Sequence, residues 1–224
     1  MKTDIWLKEI KKVQLKDGIA IVGSPGLGSI GKLSIDYLVK ETKAELTATL
    51  YSSHLPLIYH TKPAYLAHYS LPGSAGIKIK QNEIDLPKVD FFTKEPKLIL
   101  TSGYHANFDG CYEIAEEVVK FLKNNRIKRI IITAGYGSKE KKVCCAATSQ
   151  KLIQEMKNKY NIETEYQGPF YGFSGLVFGA AKLQQIEAIS LFSGVEAKPG
   201  NPEFPNEESA KLLIDILKKM IKTS

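Results

Sequence analysis

The chain has 224 residues, with 31 Lys and Arg against 24 Asp and Glu, a formal charge of +7. At roughly 100 to 200 residues per domain this is one domain, 1–224, large enough to bury a full core without disulfides or metal staples. A hydrophobic content of 43% with 25% charged residues excludes wholesale disorder, collagen-like and coiled-coil classes.

After a polar amphipathic start, Ile19-Ala-Ile-Val22 is a short apolar run closed by Gly23-Ser-Pro-Gly-Leu-Gly-Ser-Ile-Gly31. Leu33, Ile35, Tyr37, Leu38 and Val39 follow with charged residues between them, which predicts strand, loop and helix. Leu46 to Tyr51 reads as a second strand. Between Leu55 and Asp90 the pattern becomes short runs broken by Pro and Gly, namely Leu57–Tyr59, Ala64–Leu71, Gly76–Lys80 and Val89–Phe92. The turn signal Pro72-Gly73 and the alternation of Ile77 and Ile79 with Lys78 and Lys80 predict antiparallel strands with one wet face. Residues 55–92 therefore form a β-rich extension or insertion.

Regular alternation resumes with a strand at Lys97–Thr101 and a helix from about Asp109, its expected N-cap, to Asn125. A buried strand at Ile130–Thr133, a helix from Ser149 to Tyr160 and a strand near Ile162–Tyr166 come next. A small-residue helix at Gly175–Gln184, a strand at Ile186–Phe192 and a final helix from Pro205 to Lys222 complete the chain. This order predicts an α/β/α sandwich on a mostly parallel or mixed sheet, with ligands or partners meeting the carboxyl ends of the strands.

Gly26, Gly28 and Gly31 spell GxGxxG after a strand and before a helix, a backbone arrangement that can approach a pyrophosphate. A dinucleotide site also needs an acid at the end of the next strand, which here reads Tyr51-Ser-Ser-His54. With Lys32 the same residues overlap a P-loop, yet Leu33 stands where a magnesium-binding Ser or Thr belongs. The loop is a possible anion or ligand site, or a tight turn packed close to the sheet. Three later segments, around Ser102-Gly103, Ala134-Gly135 and Pro169–Phe173, carry glycine-aromatic turns. On parallel strands they gather Tyr104, His105, Asn107, Tyr136 and Ser174 into a possible pocket beside that loop. Ser174 lacks the full GxSxG pattern, and the four histidines lack metal-ligand spacing. No catalytic set, metal site or cofactor emerges, and an enzyme is the less favoured reading.

Three cysteines without CxxC spacing, Cys111, Cys144 and Cys145, read as small side chains of a reducing compartment. No apolar run reaches membrane-spanning length, and Met1–Lys12 holds no signal-peptide core, so the expected location is cytoplasmic. The excess charge is local. Lys120, Lys123, Arg126, Lys128, Arg129, Lys139, Lys141 and Lys142 face one acid, Glu140, across that stretch. This predicts a single positive face, suited to solvent or to an acidic protein; nucleic acid is disfavoured because no interleaved aromatics accompany the charge.

The blocks Gly23–Leu33, Ser102-Gly103 leading to Tyr112–Glu117, Ile131–Tyr136 and Gly172–Lys182 together resemble the proteasome-assembly chaperone family in its archaeal branch. The resemblance covers nearly the whole chain. It implies a three-layer fold shaped like phosphorylases and certain peptidases without their catalytic residues, self-association into homo-oligomers, and binding to proteasome α-subunits. Where such proteins engage the proteasome through a tail with a penultimate Tyr, Met220–Ser224 offers no tyrosine. The alternative is a small-molecule or nucleotide-binding enzyme using the loop 23–32.

Overall fold

The computed structural model describes residues 5–13, 15–55, 78–104, 110–162 and 165–223. Its strands are β1 (Ile5–Glu9), β2 (Gly18–Gly23), β3 (Glu45–Ser52), β4 (Lys78–Lys80), β5 (Glu83–Asp85), β6 (Val89–Lys94), β7 (Leu98–Ser102), β8 (Ile127–Gly137), β9 (Val143–Ala147) and β10 (Glu187–Val195). The helices are α1 (Ile30–Thr42), α2 (Cys111–Asn124), α3 (Gln150–Tyr160), α4 (Gly172–Leu183) and α5 (Glu207–Lys222).

Among the described residues eight strands form one sheet in the order β1-β3-β6-β7-β2-β8-β10-β9. The four inner strands, β7, β2, β8 and β10, are parallel, whereas β1, β3, β6 and β9 join antiparallel at the flanks. The sheet is therefore mixed. The parallel strands are the near-continuous Ile, Leu and Val runs, which is what burial on two faces requires. Alternate residues of β2 divide between the layers: Ala20 and Val22 pack with α2 and α4, while Ile19 and Ile21 pack with α1, α3 and α5. The fold is a three-layer α/β/α sandwich.

Helix ends follow simple chemistry. Asn206 caps α5 by accepting from the Ser209 N–H at 2.9 Å, with Glu207 and Glu208 in the first turn and Lys219 and Lys222 in the last. The expected cap of α2, Asp109, lies outside the described residues; the described helix begins after Gly110. Among the described residues no helix is long and apolar enough to cross a membrane.

Several expectations change. Within the polar amphipathic start, Ile5–Glu9 is a strand, β1, at the edge of the sheet among the described residues, with Trp6 54% exposed. Val143–Ala147 is also a strand, separated from β8 because β10 lies between them. The strand expected at Ile162–Tyr166 reduces, among the described residues, to one bridge from Glu165 to Cys145. Ala134–Gly137 is the last part of β8, so the turn comes only afterwards. Within 55–92, the runs at Leu57–Tyr59 and Ala64–Leu71 and the Pro72-Gly73 turn fall outside the described residues. In the β4–β5 ribbon the facing Ile79 and Ile84 are both exposed, so its apolar face is open too.

Candidate functional site

The carboxyl edge of the parallel strands is stepped. Gly23, Ser102 and Thr133 sit at one level, where β2 and β7 end, but β8 and β10 run on to Gly137 and Val195. The chain leaving β2 must fold against this protruding pair. A cleft of about 440 Å³ opens there, with Gly26, Gly31, Tyr136 and Ser174 in its lining beside Tyr166, Phe170 and Phe192. Among the described residues no charged side chain lines it.

The glycine loop is held by its own chain. Gly28 has φ +66°, in the left-handed region that favours glycine, and donates its N–H to the Pro202 carbonyl at 2.8 Å. The Asn206 N–H returns a bond to the Gly28 carbonyl at 2.9 Å, and the Ser29 hydroxyl donates to the Glu203 carbonyl at 2.7 Å. The Ser29 N–H goes to Gly26 and the Lys32 N–H to Ser24. Gly31 packs so close to the sheet that a Cβ there would lie 2.7 Å from the Thr133 carbonyl oxygen. The Lys32 ammonium meets Asp36 at 2.6 Å, one turn along α1.

On the other wall, the Ser174 hydroxyl is 3.0 Å from that of Ser24, both buried. Tyr166 stacks on Phe192 at 4.1 Å, Phe170 meets Phe192 edge-on at 4.7 Å, and Tyr136 approaches Tyr166 edge-on at 6.0 Å. Burial pushes the Tyr136 phenol above its ordinary value. Nearby, burial also raises the Cys144 thiol and pushes Cys145 up to about 11, so both stay protonated at neutral pH and pack as small apolar groups.

Of the residues singled out in the sequence, Gly26, Gly31, Tyr136 and Ser174 thus meet at the cleft. Gly28 lies behind it against Val195 and Asn206, and Lys32 lies along α1. Tyr104 packs on the core beneath α2 and α4, and His105 and Asn107 are outside the described residues. Sequence reasoning missed Tyr166 and Phe192. An aromatic at the last apolar position of a strand is the only signal that marks Phe192; Tyr166 was read only as the end of a strand.

The single positive face does not form. β8 has 11 residues, a rise of roughly 35 Å, and it separates Arg126 and Lys128 at its start from Lys139, Lys141 and Lys142 beyond its end. Many of these cations are also paired. Lys141 meets Glu208 at 2.6 Å, Lys142 meets Glu140 at 2.6 Å, and Arg129 bridges Glu155 and Glu187.

Comparison with known proteins places this arrangement. The PAC2 family model matches residues 20–224. The uncharacterized protein MJ1210 of Methanocaldococcus jannaschii is 26% identical over 217 residues, which span 93% of this chain and 76% of that protein. The structure of Pyrococcus furiosus PbaB, an archaeal proteasome activator, superposes with a TM-score of 0.78 at 24% identity over 99% of this chain and 90% of its own. Pyrococcus furiosus PbaA, an archaeal homolog of proteasome-assembly chaperone, gives 0.74 at 20% identity over 98% and 86%. These likenesses establish a shared fold. The family model takes in every residue that lines the cleft, and the chain belongs to the PAC2 family.

Proposed function

We propose that this protein is a non-enzymatic, cytoplasmic, homo-oligomeric binding factor of the proteasome-assembly chaperone type that engages proteasome α-subunits. The observation that carries the reading is the family match over 20–224, together with the fold shared with PbaA and PbaB. The geometry of the strand-end edge supports it. The loop that would cradle an anion spends the Gly28, Ser29 and Lys32 N–H groups on its own chain, and the Ser24 and Ser174 hydroxyls face each other.

The test is direct mixing of the purified chain with recombinant archaeal proteasome α-subunits, read by light scattering on a sizing column and by native electrophoresis. Co-elution, or a change in the rate or product of α-ring assembly, is the expected result. If neither occurs the proteasome role falls, and a monomeric mass for the chain alone removes the homo-oligomer.

A second reading, a small-molecule or nucleotide-binding enzyme built on the loop 23–32, draws on one observation. The cleft of about 440 Å³ beside Gly26 and Gly31 falls within the size range of ligand pockets.

A further inference from the structure

The opposite edge of the sheet carries a different surface. Two shallow depressions flank Arg126 at the amino ends of the parallel strands. One, of about 500 Å³, is lined by Lys123, Arg126, Lys128 and Gln185 together with Asp17. The other, of about 390 Å³, is lined by Lys16, Asn124, Asn125 and again Arg126. Here the positive charge of the Lys120–Lys142 segment is least neutralised. Among the described residues Asp17 is the only acid in either lining, and it lies 3.5 Å from Lys128 in an exposed pair that solvent screens.

Arg126 is rooted as a fixed ridge between the depressions. Its backbone has φ +59°, its N–H donates to the Lys123 carbonyl at 3.0 Å, and its carbonyl accepts from Gly18 at 3.2 Å. Lys123 is steadied by one bond from Nζ to the Gln184 carbonyl at 3.1 Å, which leaves its other ammonium protons for a ligand.

We infer that this edge is a docking site for an acidic peptide segment of a partner protein. The planar guanidinium of Arg126 matches a carboxylate with two parallel bonds, and Lys16, Lys123 and Lys128 surround it as point charges. The side-chain amides of Asn124 and Gln185 stand beside them to meet peptide N–H and C=O groups. A nucleic-acid strand fits less well. The cations cluster around one arginine without forming a track, Asp17 interrupts them, and among the described residues neither lining holds an aromatic ring on which a base could stack. The inference does not depend on the partner being a proteasome subunit.

The experiment is fluorescence anisotropy of a fluorescein-labelled octaglutamate peptide with the full chain and its variants. Arg126→Gly deletes the guanidinium where the backbone already favours glycine, so the melting temperature is expected to hold or rise. Against the wild type, Lys123→Gln/Arg126→Gly is expected to weaken binding by about tenfold or more, and added salt to weaken the wild type. Lys141→Gln/Lys142→Gln, at the far end of β8, is expected to leave binding unchanged. Equal affinity of wild type and Lys123→Gln/Arg126→Gly would overturn the site. So would an equal loss in the far-end variant, or tighter binding of a labelled oligothymidylate, which would assign the patch to nucleic acid.

Discussion

The hydroxyls of Ser24 and Ser174 meet at 3.0 Å in the buried wall of the cleft, 150 residues apart in sequence, and tie the loop after β2 to the first turn of α4. Among the described residues each is the other's side-chain partner, so removing one leaves a buried hydroxyl without that bond. Ser174→Ala is expected to cost about 1–3 kcal/mol, and Ser24→Ala a similar amount. The double variant is expected to cost clearly less than the sum, because no orphan remains. Urea unfolding of the four proteins measures this coupling, and strictly additive losses would show that the contact carries no energy.

Glycines of the same family blocks are expected to respond in opposite directions. A Cβ at Gly31 would sit 2.7 Å from the Thr133 oxygen and 2.8 Å from backbone atoms of Ser24, none of which can swing aside. Gly31→Ala is therefore expected to destabilise by about 1–3 kcal/mol. At Gly179, inside α4, a Cβ meets nothing within 4 Å. Gly179→Ala is expected to stabilise by about 1 kcal/mol through helix propensity alone. Denaturant midpoints decide, and similar shifts for both would refute the packing role assigned to Gly31.

The inner sheet was legible because its residues obey local rules. Ile19–Val22 and Ile130–Thr133 are continuous apolar runs, and the stripes of α2 and α5 repeat at helical spacing. Tertiary context set the rest. Ile5–Glu9 and Val143–Ala147 become strands because β3 and β10 offer them an edge, and neither segment announces that partner. The extension of β8 through Gly137 was hidden by glycines at 135 and 137, which read as punctuation; Gly135 instead admits the Leu27 carbonyl against the strand. The split of the basic segment follows from that same extension. Charge spacing along a sequence does not reveal whether a long strand runs through its middle. The cleft was half legible: its glycines and Tyr136 stood out, while Tyr166 and Phe192 needed the three-dimensional gathering of segments distant in sequence.

Arg129 anchors the other end of β8. It reaches Glu155 of α3 with two bonds, at 2.9 and 3.1 Å, and Glu187 of β10 at 2.7 and 3.0 Å. Burial pushes the Glu155 carboxyl up, but the hydrogen bonds and charge of Arg129, with help from Lys159, outweigh it and hold the group below its ordinary value. A carboxylate with a depressed folded pKa contributes stability above its unfolded pKa, near 4.3, and loses it as the pH falls through the folded value. Arg129→Met is expected to cost about 1–2 kcal/mol at pH 7, the partial exposure of the cluster limiting the loss. The difference from wild type is expected to shrink as acid protonates Glu155, and the two stability curves to converge well below pH 4. Curves that stay parallel from pH 7 to pH 3 would show that Arg129 acts through packing alone.

The glycine loop yields the last prediction, which separates a binding factor from a nucleotide enzyme. A phosphate needs free N–H groups and a cation. Gly28, Ser29 and Lys32 have already given their N–H groups to Pro202, Gly26 and Ser24, and the Lys32 ammonium is paired with Asp36. Among the described residues the cleft beside them presents aromatic rings and hydroxyls without a charge. ATP, GTP and NAD at millimolar concentration are therefore expected to leave the melting temperature unchanged. A ligand present at a hundred times its dissociation constant adds about 2.7 kcal/mol, a rise of roughly 5–10 °C for a domain of this size, so thermal melting resolves the question. A rise of that size with any one nucleotide, abolished by Gly26→Leu while the fold is retained, would place a nucleotide site at the loop and count against the reading proposed above. Gly26 is the right position for that variant because a Cβ there meets nothing within 4 Å among the described residues, so a bulky side chain closes the cleft without disturbing the sheet beneath it.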